Sequence, residues 1–322
     1  MKKALLHVLI LVTLTLFATL SSFAWDDVGH KLTAYIAWQQ MTPEVRDQVI
    51  RILRAAPEDA QLSTFYMPYG SRTVETRQLD FFMIAASWPD IVRDRAFDTR
   101  YKKYHHSNWH YSDTFWTVKN GKVEVLQMPG DGGLAMEKIA EFIKLEESNA
   151  SDADKAIGIT WLEHLIGDIH QPLHASGRIT DLEPKGDQGA NLFLLTPKDT
   201  PREKQDNLHS FWDGIVVRSE PNTGDACDIE YLAPIAKDIM KEYPFAKMQS
   251  RLALDDPEQW KKESFEIAST RVYPEDLKRF EAPSKEYKKM AMKISEERLA
   301  LAGYRMAALF NKLFAATAKP QS

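Results

Sequence analysis

The chain has 322 residues, and its 41 Lys and Arg against 46 Asp and Glu give a formal net charge of −5. This acidic balance argues against a broad basic groove that follows the phosphates of a nucleic acid, so any attraction to phosphate has to be local. Cys227 is the only cysteine, which excludes an intramolecular disulfide. Stability must therefore come from a packed core or from bound metal.

The chain begins with the features of a secretory signal peptide. Two lysines precede an apolar run over residues 4–20, and Ala24 ends a small-x-small sequence of the kind that signal peptidase cleaves. Cleavage after Ala24 removes residues 1–24, and the loss of the two lysines, with no acid in that segment, changes the formal charge from −5 to −7. A membrane anchor is the alternative, but the run is interrupted by His7 and is only about as long as the roughly 20-residue minimum for a span.

Residues 25–322 carry no Gly/Ser linker, repeat or low-complexity block. Because nothing in their composition divides them, we expect one domain. The predicted mature protein is a monomer, exported to the periplasm or the extracellular space, without stable membrane association.

Helical patterns dominate this predicted mature chain. Asp26 or Asp27 can cap a first helix, and Thr42 followed by Pro43 is a typical start for a second. Ser151 begins a capping box for a helix that is apolar nearly all round and therefore central. The predicted helices cover residues 28–41, 43–53, 133–147, 153–170 and 284–314.

Strand signals are few and short, at residues 122–128 and 191–195. Residues 175–207 form a long irregular stretch, and a loop of that size in a compact domain is usually functional or mobile. The expected fold class is mainly α.

Two His-Asp pairs share one spacing. His164 and Asp168 lie four residues apart on the central helix, and His209 and Asp213 repeat the interval, so each pair leaves one helix face. A buried pair can be structural, with each partner satisfying the other, and one pair alone favours that interpretation.

Three further histidines and one aspartate argue against the interpretation that the two pairs are only structural. Neutral imidazole and carboxylate are the ligands of zinc where cysteine is scarce, and His30, Asp90, His110 and His174 add to the two pairs. Pro172 should end or kink the central helix and turn His174 away from the face of His164. The clustering favours a multinuclear metal site with neighbouring ions.

Several motifs in this order carry a resemblance to a known family. The sequence resembles the zinc-dependent single-strand nucleases typified by nuclease S-one and nuclease P-one, which share a helical fold with bacterial zinc phospholipase C. The resemblance implies a single helical domain of that type, with short strands and a long loop. The matching motifs are WDDVGH, ASWPD, WHYSD, WLEHLIGDIHQPLH, GDQGAN and NLHSFWD.

The resemblance implies three zinc ions. It also gives Trp25 a role through its backbone amine and carbonyl, because a free amine can donate a lone pair to zinc and an amide nitrogen in the uncut precursor cannot readily do so. His170, His105 and His106 fall outside the implied ligand positions. The implied ligand sets are Asp90, His110, His164 and Asp168 for the first ion, His174, His209 and Asp213 for the second, and His30, the bridging Asp168 and Trp25 for the third.

The implied activity is zinc-dependent hydrolysis of single-stranded DNA and RNA, leaving 5′-phosphate ends, with 3′-nucleotidase activity left open. Asp168 sits at the centre of this chemistry, Asp113 matches a family acid that orients the nucleophile or a zinc ligand, and Asn191 matches an asparagine that contacts the phosphate. Ala190 departs from the family pattern, since a second glycine is usual there.

Unpaired bases can stack on aromatic rings, which favours single strands as substrates. Two other functions remain open: a phospholipase C that uses the same metals, although Asp213 matches the nucleases better, and a periplasmic zinc-binding protein without catalysis. The candidate stacking residues are Trp88, Tyr104, Trp109, Tyr111, Phe115 and Trp116.

Overall fold

The computed structural model describes residues 25–128, 132–224 and 226–315, so the predicted signal peptide lies outside the described residues. Helices dominate, which confirms the mainly α fold class. The α-helices are α1 Asp27–Gln40, α2 Pro43–Leu53, α3 Val74–Ile91, α4 Asp98–Tyr104, α5 Ala135–Glu147, α6 Asp152–His170, α7 Leu208–Asp213, α8 Ile215–Ser219, α9 Asp228–Glu242, α10 Phe245–Met248, α11 Glu258–Ile267 and α12 Lys285–Ala315.

The helix starts follow the capping residues in the sequence. The Asp26 side chain accepts a hydrogen bond from the Gly29 N–H at 3.0 Å, and Ser151 Oγ accepts from the Asp154 N–H at 3.2 Å. Each bond satisfies a first-turn donor that has no partner within the helix. The caps therefore fix where α1 and α6, two of the helices that carry predicted ligands, enter the core.

A small sheet covers one side of the helices. Its strands β1 Thr114–Lys119, β2 Lys122–Val125 and β3 Ser176–Arg178 lie in the order β2-β1-β3, with β1 antiparallel to β2 and parallel to β3. β2 confirms the strand predicted near residue 122.

The strand predicted at residues 191–195 is wrong. Phe193 and Leu195 are buried and alternate with more exposed neighbours, as side chains on a strand would. Leu194 forms only an isolated bridge with Asn207. The alternation therefore reflects side chains packing inward from a loop, because the described residues provide no neighbouring strand that extends the pairing.

The central helix α6 packs against α1, α2, α3, α5, α11 and α12. Residues 158–170 of this helix are all buried, including His164 and Asp168. Gly167 lets α1 approach closely, since a Cβ there would lie 2.8 Å from His30 Nδ1. The packing of α6 thus places polar ligands in an interior where they need a partner.

The C-terminal third of the chain anchors the end of α6 through buried charges. Arg305 Nη1 donates to His170 Nε2 at 2.7 Å, and Arg298 Nε donates to the His170 carbonyl at 3.2 Å. Both guanidinium groups also pair with Glu263, at 2.7 and 2.9 Å. His170 is therefore held as a structural residue, and the segment after Gly214, which carries no motif, positions the helix of His164 and Asp168.

A π-helical turn, Ala268–Val272, follows α11 and places Tyr273 against the irregular stretch before α7. In the described ranges, no helix combines the length and the apolar character needed to cross a membrane.

Glu146 on α5 is a buried acid that weakens the fold at high pH. Its side chain is 4% exposed, neither carboxyl oxygen has a hydrogen-bond partner among the described residues, and burial raises its pKa from 4.5 to about 8. A raised acid pKa favours the protonated form in the folded state, so the contribution of Glu146 to stability is fully present below pH 4.5 and is lost as the pH rises to about 8.

We expect Glu146→Gln to remove this part of the pH dependence and to raise the free energy of unfolding at pH 8 by on the order of 2 kcal/mol. Denaturant unfolding at pH 5 and pH 8 measures the effect. Glu147→Gln changes an exposed neighbour and is the matched control. Equal pH dependence in both variants would contradict this assignment.

Candidate metal centre

Eight predicted ligands from six separate pieces of the chain meet around the C-terminal half of α6. Their side chains are buried, with Asp90 the most accessible at 10% exposure. They are His30 on α1, Asp90 near the end of α3, His110 after the 3₁₀ turn of residues 107–109, His164 and Asp168 on α6, His174 in the 3₁₀ turn Pro172–Ala175, and His209 and Asp213 on α7.

These side chains form three groups with the composition of a metal site. Within each group, one potential ligand atom per residue lies within 4.8 Å of the others. The groups are His30, His164 and Asp168; Asp90, His110 and His164; and His174, His209 and Asp213.

Asp168 links the first two groups through its two carboxylate oxygens. Oδ1 lies 3.2 Å from His30 Nε2, while Oδ2 lies 3.2 Å from His110 Nδ1 and 3.3 Å from His164 Nε2. Asp90 Oδ1 lies 3.7 Å from His164 Nε2. The two oxygens thus face different imidazoles, which is the arrangement of a carboxylate that bridges two cations.

The third group depends on the turn at Pro172. α6 ends at His170, and the turn carries His174 to α7, where its Nε2 lies 3.1 Å from His209 Nε2 and 4.0 Å from Asp213 Oδ1. His209 Nε2 lies 3.3 Å from Asp213 Oδ2. The helix end therefore separates this group from the one around Asp168, as the proline predicts.

Backbone carbonyls fix which ring nitrogen of three histidines carries the proton. The Nδ1 atoms of His164, His174 and His209 lie 2.8, 2.6 and 2.6 Å from the carbonyl oxygens of Ala86, His110 and Gly189. A carbonyl can only accept, so each Nδ1 donates and each Nε2 presents a lone pair in the neutral ring. Such second contacts are typical of metal-ligating histidines.

In the third group, the ring nitrogens that face each other are both acceptors, and neither carries a proton for a hydrogen bond. The Nε2 atoms of His174 and His209 face each other at 3.1 Å beside the Asp213 carboxylate. Burial lowers the pKa of His174 well below its ordinary value and raises that of Asp213, so the protein alone does not stabilise charge there. A divalent cation satisfies all three acceptors, and the residues present therefore fit zinc.

The comparisons with known proteins agree with this geometry. A profile of the S1/P1 nuclease family matches residues 25–315. The chain belongs to this family. Two relatives from Arabidopsis thaliana, Endonuclease 4 and Endonuclease 5, are 28% and 26% identical over 170 residues, which is 50% of this chain and 52% of each relative. The aligned segment thus spans about half the length of these curated relatives.

Trp25, the first residue of the S1/P1 nuclease match, lies beside the Asp168 group. It is fully buried, and its ring approaches Gly29 and Gly167 so closely that a Cβ at Gly29 would lie 2.6 Å from Trp25 Cβ. A Cβ at Gly167 would contact both His30 Nδ1 and Trp25 Cδ1. The structure therefore places Trp25 next to a predicted metal group, while metal binding by its backbone stays a prediction.

Asp113 and Asn191 lie on two segments joined to the ligands. Ser112, which precedes Asp113, donates its N–H to the His174 carbonyl at 2.8 Å. The Asn191 side-chain nitrogen donates to the Gln188 carbonyl at 2.8 Å, and its buried Oδ1 has no partner among the described residues. Their catalytic roles stay predictions.

Ala190 shows what its departure from the S1/P1 nuclease pattern means. It adopts a φ of +69°, a left-handed conformation that favours glycine, and it follows Gly189 at +59°. The loop nevertheless keeps the turn that brings the Gly189 carbonyl to His209. The alanine therefore adds backbone strain to a loop whose turn positions the His209 ring.

The sequence did not reveal the contacts that hold this loop and α7. Asp187 accepts from the Tyr273 hydroxyl at 2.7 Å and from the Arg178 N–H at 3.0 Å. Gln171 donates to Asp213 Oδ1 at 2.6 Å. Both residues lie in quoted motifs, but the direction of a side chain in a loop or after a helix end depends on tertiary packing.

A positive charge beside the metal groups was also missed. Arg93 Nη2 lies 2.8 Å from Asp90 Oδ1, three residues away at the end of α3. The i, i+3 spacing in WPDIVR is a signal that points to this pair, although surface helices carry the same spacing often. Arg93 is 12% exposed, so this side of the site reaches solvent.

Three of the six candidate stacking residues lie in the core instead. Trp88, Tyr104 and Trp116 are at most 6% exposed, and their polar atoms donate to Ala60, Asp59 and Ser176 within the protein. Their rings are therefore core residues. The partly accessible candidates are Trp109, Tyr111 and Phe115.

We expect Gly189→Ala to weaken zinc binding by about ten- to a hundredfold, as is typical when a contact behind a ligand is disturbed. The added Cβ would lie 2.6 Å from the Leu173 carbonyl and 3.1 Å from His209 Nδ1. Competition with a chromophoric chelator measures the affinity. Gly121→Ala is the matched control, because Gly121 also has a positive φ but open space around it. Equal zinc affinity in the two variants would refute the loop's role.

Proposed function

We propose that the protein is an exported, zinc-dependent endonuclease that hydrolyses single-stranded DNA and RNA to products with 5′-phosphate ends. The observation that carries this proposal is the junction at Asp168, where imidazoles from α1, α6 and the His110 turn meet the two oxygens of one carboxylate. Membership of the S1/P1 nuclease family supports the reaction class.

Three zinc ions would use the predicted ligands in three sets. When bound, zinc supplies a Lewis acid that offsets charge on a phosphodiester and makes water a better nucleophile near neutral pH. The sets would be Asp90, His110, His164 and Asp168; His174, His209 and Asp213; and His30, Asp168 and the Trp25 amine and carbonyl.

The protein's own groups would orient the substrate. Asn191 has an amide nitrogen that can donate to a non-bridging phosphate oxygen, and its place in the loop is set by the turn at Gly189 and Ala190. Asp113 would hold the attacking water or a ligand in position. The carbonyl contacts of His164, His174 and His209 fix these rings before substrate binds, so no tautomer has to change.

Single strands suit a site enclosed by helices. The ligands lie at most 10% exposed, so a phosphate has to leave the line of a rigid duplex to reach them. An unpaired strand can bend inward and place a base against the partly accessible Trp109, Tyr111 or Phe115. A site that an unpaired strand can reach would also admit a 3′-nucleotide, which extends the proposal to 3′-nucleotidase activity.

Export would complete the site. The basic and apolar residues before Ala24 support removal of a signal peptide, and the new amine of Trp25 would begin next to His30 and Gly167. Asp26 anchors this end, because its N–H donates to the Asp213 carbonyl at 3.2 Å.

We expect the purified mature protein to cleave single-stranded DNA and RNA, to cleave duplex DNA at least tenfold more slowly, and to lose activity with a chelator. Gel assays measure the cleavage of each nucleic acid. Release of phosphocholine from phosphatidylcholine tests for a phospholipase C. His164→Ala should abolish activity, because two of the three ligand groups lose a member. Metal content without any chelator-sensitive phosphodiesterase activity would instead leave a zinc-binding protein.

We expect one extra residue before Trp25 to lower the number of bound zinc ions, because the amine becomes an amide that cannot readily coordinate zinc. Metal analysis of the extended and the processed protein gives the count. An unchanged count and an unchanged rate would exclude the chain terminus from the site.

A further inference from the structure

One short segment reverses the charge of the chain. Residues 93–106 hold five Lys and Arg against two Asp, a local charge of +3 in a protein of −5. The same segment contains Phe97, Tyr101, Tyr104 and two histidines. Basic residues interleaved with rings are the composition that binds unpaired nucleic acid.

Three side chains of this segment form a stack, here named the Arg95 ladder. The Arg95 guanidinium lies 5.3 Å from the Tyr101 ring centroid, and the rings of Tyr101 and His105 stack at 4.9 Å with 23° between their planes. Arg95 is exposed, and Tyr101 and His105 are half-buried. The ladder thus runs from solvent toward the protein.

The Arg95 ladder has an unpaired charge. Lys102 and Lys103 pair with Asp98 and Asp59, each at 2.7 Å. Arg95 forms no ion pair with the residues that the structure describes, so its charge is available to an anion. Its cation–π contact keeps the guanidinium over the Tyr101 ring without neutralising the charge.

The inner end of the ladder lies beside the predicted metal groups. Arg93, two residues before Arg95, lies 2.8 Å from Asp90 Oδ1. At the other end, the ring of His106, which follows His105, stacks on Trp109 at 3.7 Å, and Trp109 precedes the predicted ligand His110. His105 Nδ1 is buried and has no hydrogen-bond partner among the described residues. His105 therefore sits next to the edge where Asp90 and Arg93, the more accessible members of the site, reach solvent.

We propose that the Arg95 ladder binds the nucleotides that flank the scissile phosphate of an unpaired strand. Arg95 pairs with a backbone phosphate, and its guanidinium, supported by the Tyr101 ring and through it by His105, contacts a base. The inference rests on the proposed nuclease function and adds a strand-binding surface outside the metal groups. In a duplex the bases face each other, so only an unpaired strand offers them to the ladder.

The variants separate charge, stacking and general destabilisation. Tyr101→Leu removes the ring that supports Arg95 and should raise KM for a single-stranded oligonucleotide about tenfold, while Tyr101→Phe keeps the ring and should restore the KM. Arg95→Gln should lower the salt dependence, reducing the slope of log KM against log salt by about 0.7, one phosphate contact. Arg54→Gln is the matched control, since Arg54 also lies over a tyrosine, Tyr66, at 4.5 Å.

Two readouts distinguish failure of the ladder from failure of the proposed function. Fluorescence anisotropy measures binding of a labelled single strand to protein loaded with zinc and, separately, to chelator-treated protein. Rates on bis(p-nitrophenyl) phosphate, a diester too small to reach the ladder, should stay unchanged in all variants.

Strand binding and the rates on the small diester together decide whether the Arg95 ladder binds the strand. Weaker strand binding in Tyr101→Leu and Arg95→Gln, with unchanged rates on the small diester, supports the ladder. Equal strand binding in these variants and in Arg54→Gln overturns it, whatever the activity. A protein that cleaves neither substrate loses the proposed function, while its strand binding still decides the ladder.

Discussion

The structure depends on buried histidine and aspartate side chains whose lone pairs face one another. Carbonyl oxygens of Ala86, His110 and Gly189 accept hydrogen bonds from the Nδ1–H groups of three imidazoles. The opposite ring nitrogens, Nε2, therefore carry lone pairs and face carboxylates. Such an arrangement repels itself until a cation enters. The fold has to hold it together beforehand, and the burial of α6 on nearly all sides explains how an otherwise unfavourable cluster stays assembled.

Buried charges at the C-terminal end of α6 act in the opposite sense, because each has an oppositely charged partner. Arg298 and Arg305 share Glu263, and most of their remaining donors reach carbonyl groups, Ser264 or His170. Paired and hydrogen-bonded charges fix geometry even where they add little to stability. One helix therefore joins a satisfied polar network to an unsatisfied one, and the first keeps the second in register.

Local signals in the sequence predicted much of this molecule. Asp26, Thr42 and Ser151 marked helix starts because capping acts within a few residues. The spacing of His164 and Asp168 placed both on one helix face, and Pro172 predicted the end of that helix. The contacts of Asp187 with Tyr273 and of Gln171 with Asp213 were not predictable in the same way, because each joins residues whose approach is decided by packing over 86 and 42 positions.

The π-helical turn Ala268–Val272 has a consequence for how this chain can vary. It adds a residue to the helical path before Tyr273, whose hydroxyl reaches Asp187 behind the loop of Gly189. If the same residues closed into a regular α turn without a deletion, the phenol would rotate by about 100° around the axis. The width of this turn is thereby tied to the orientation of an imidazole far away in sequence.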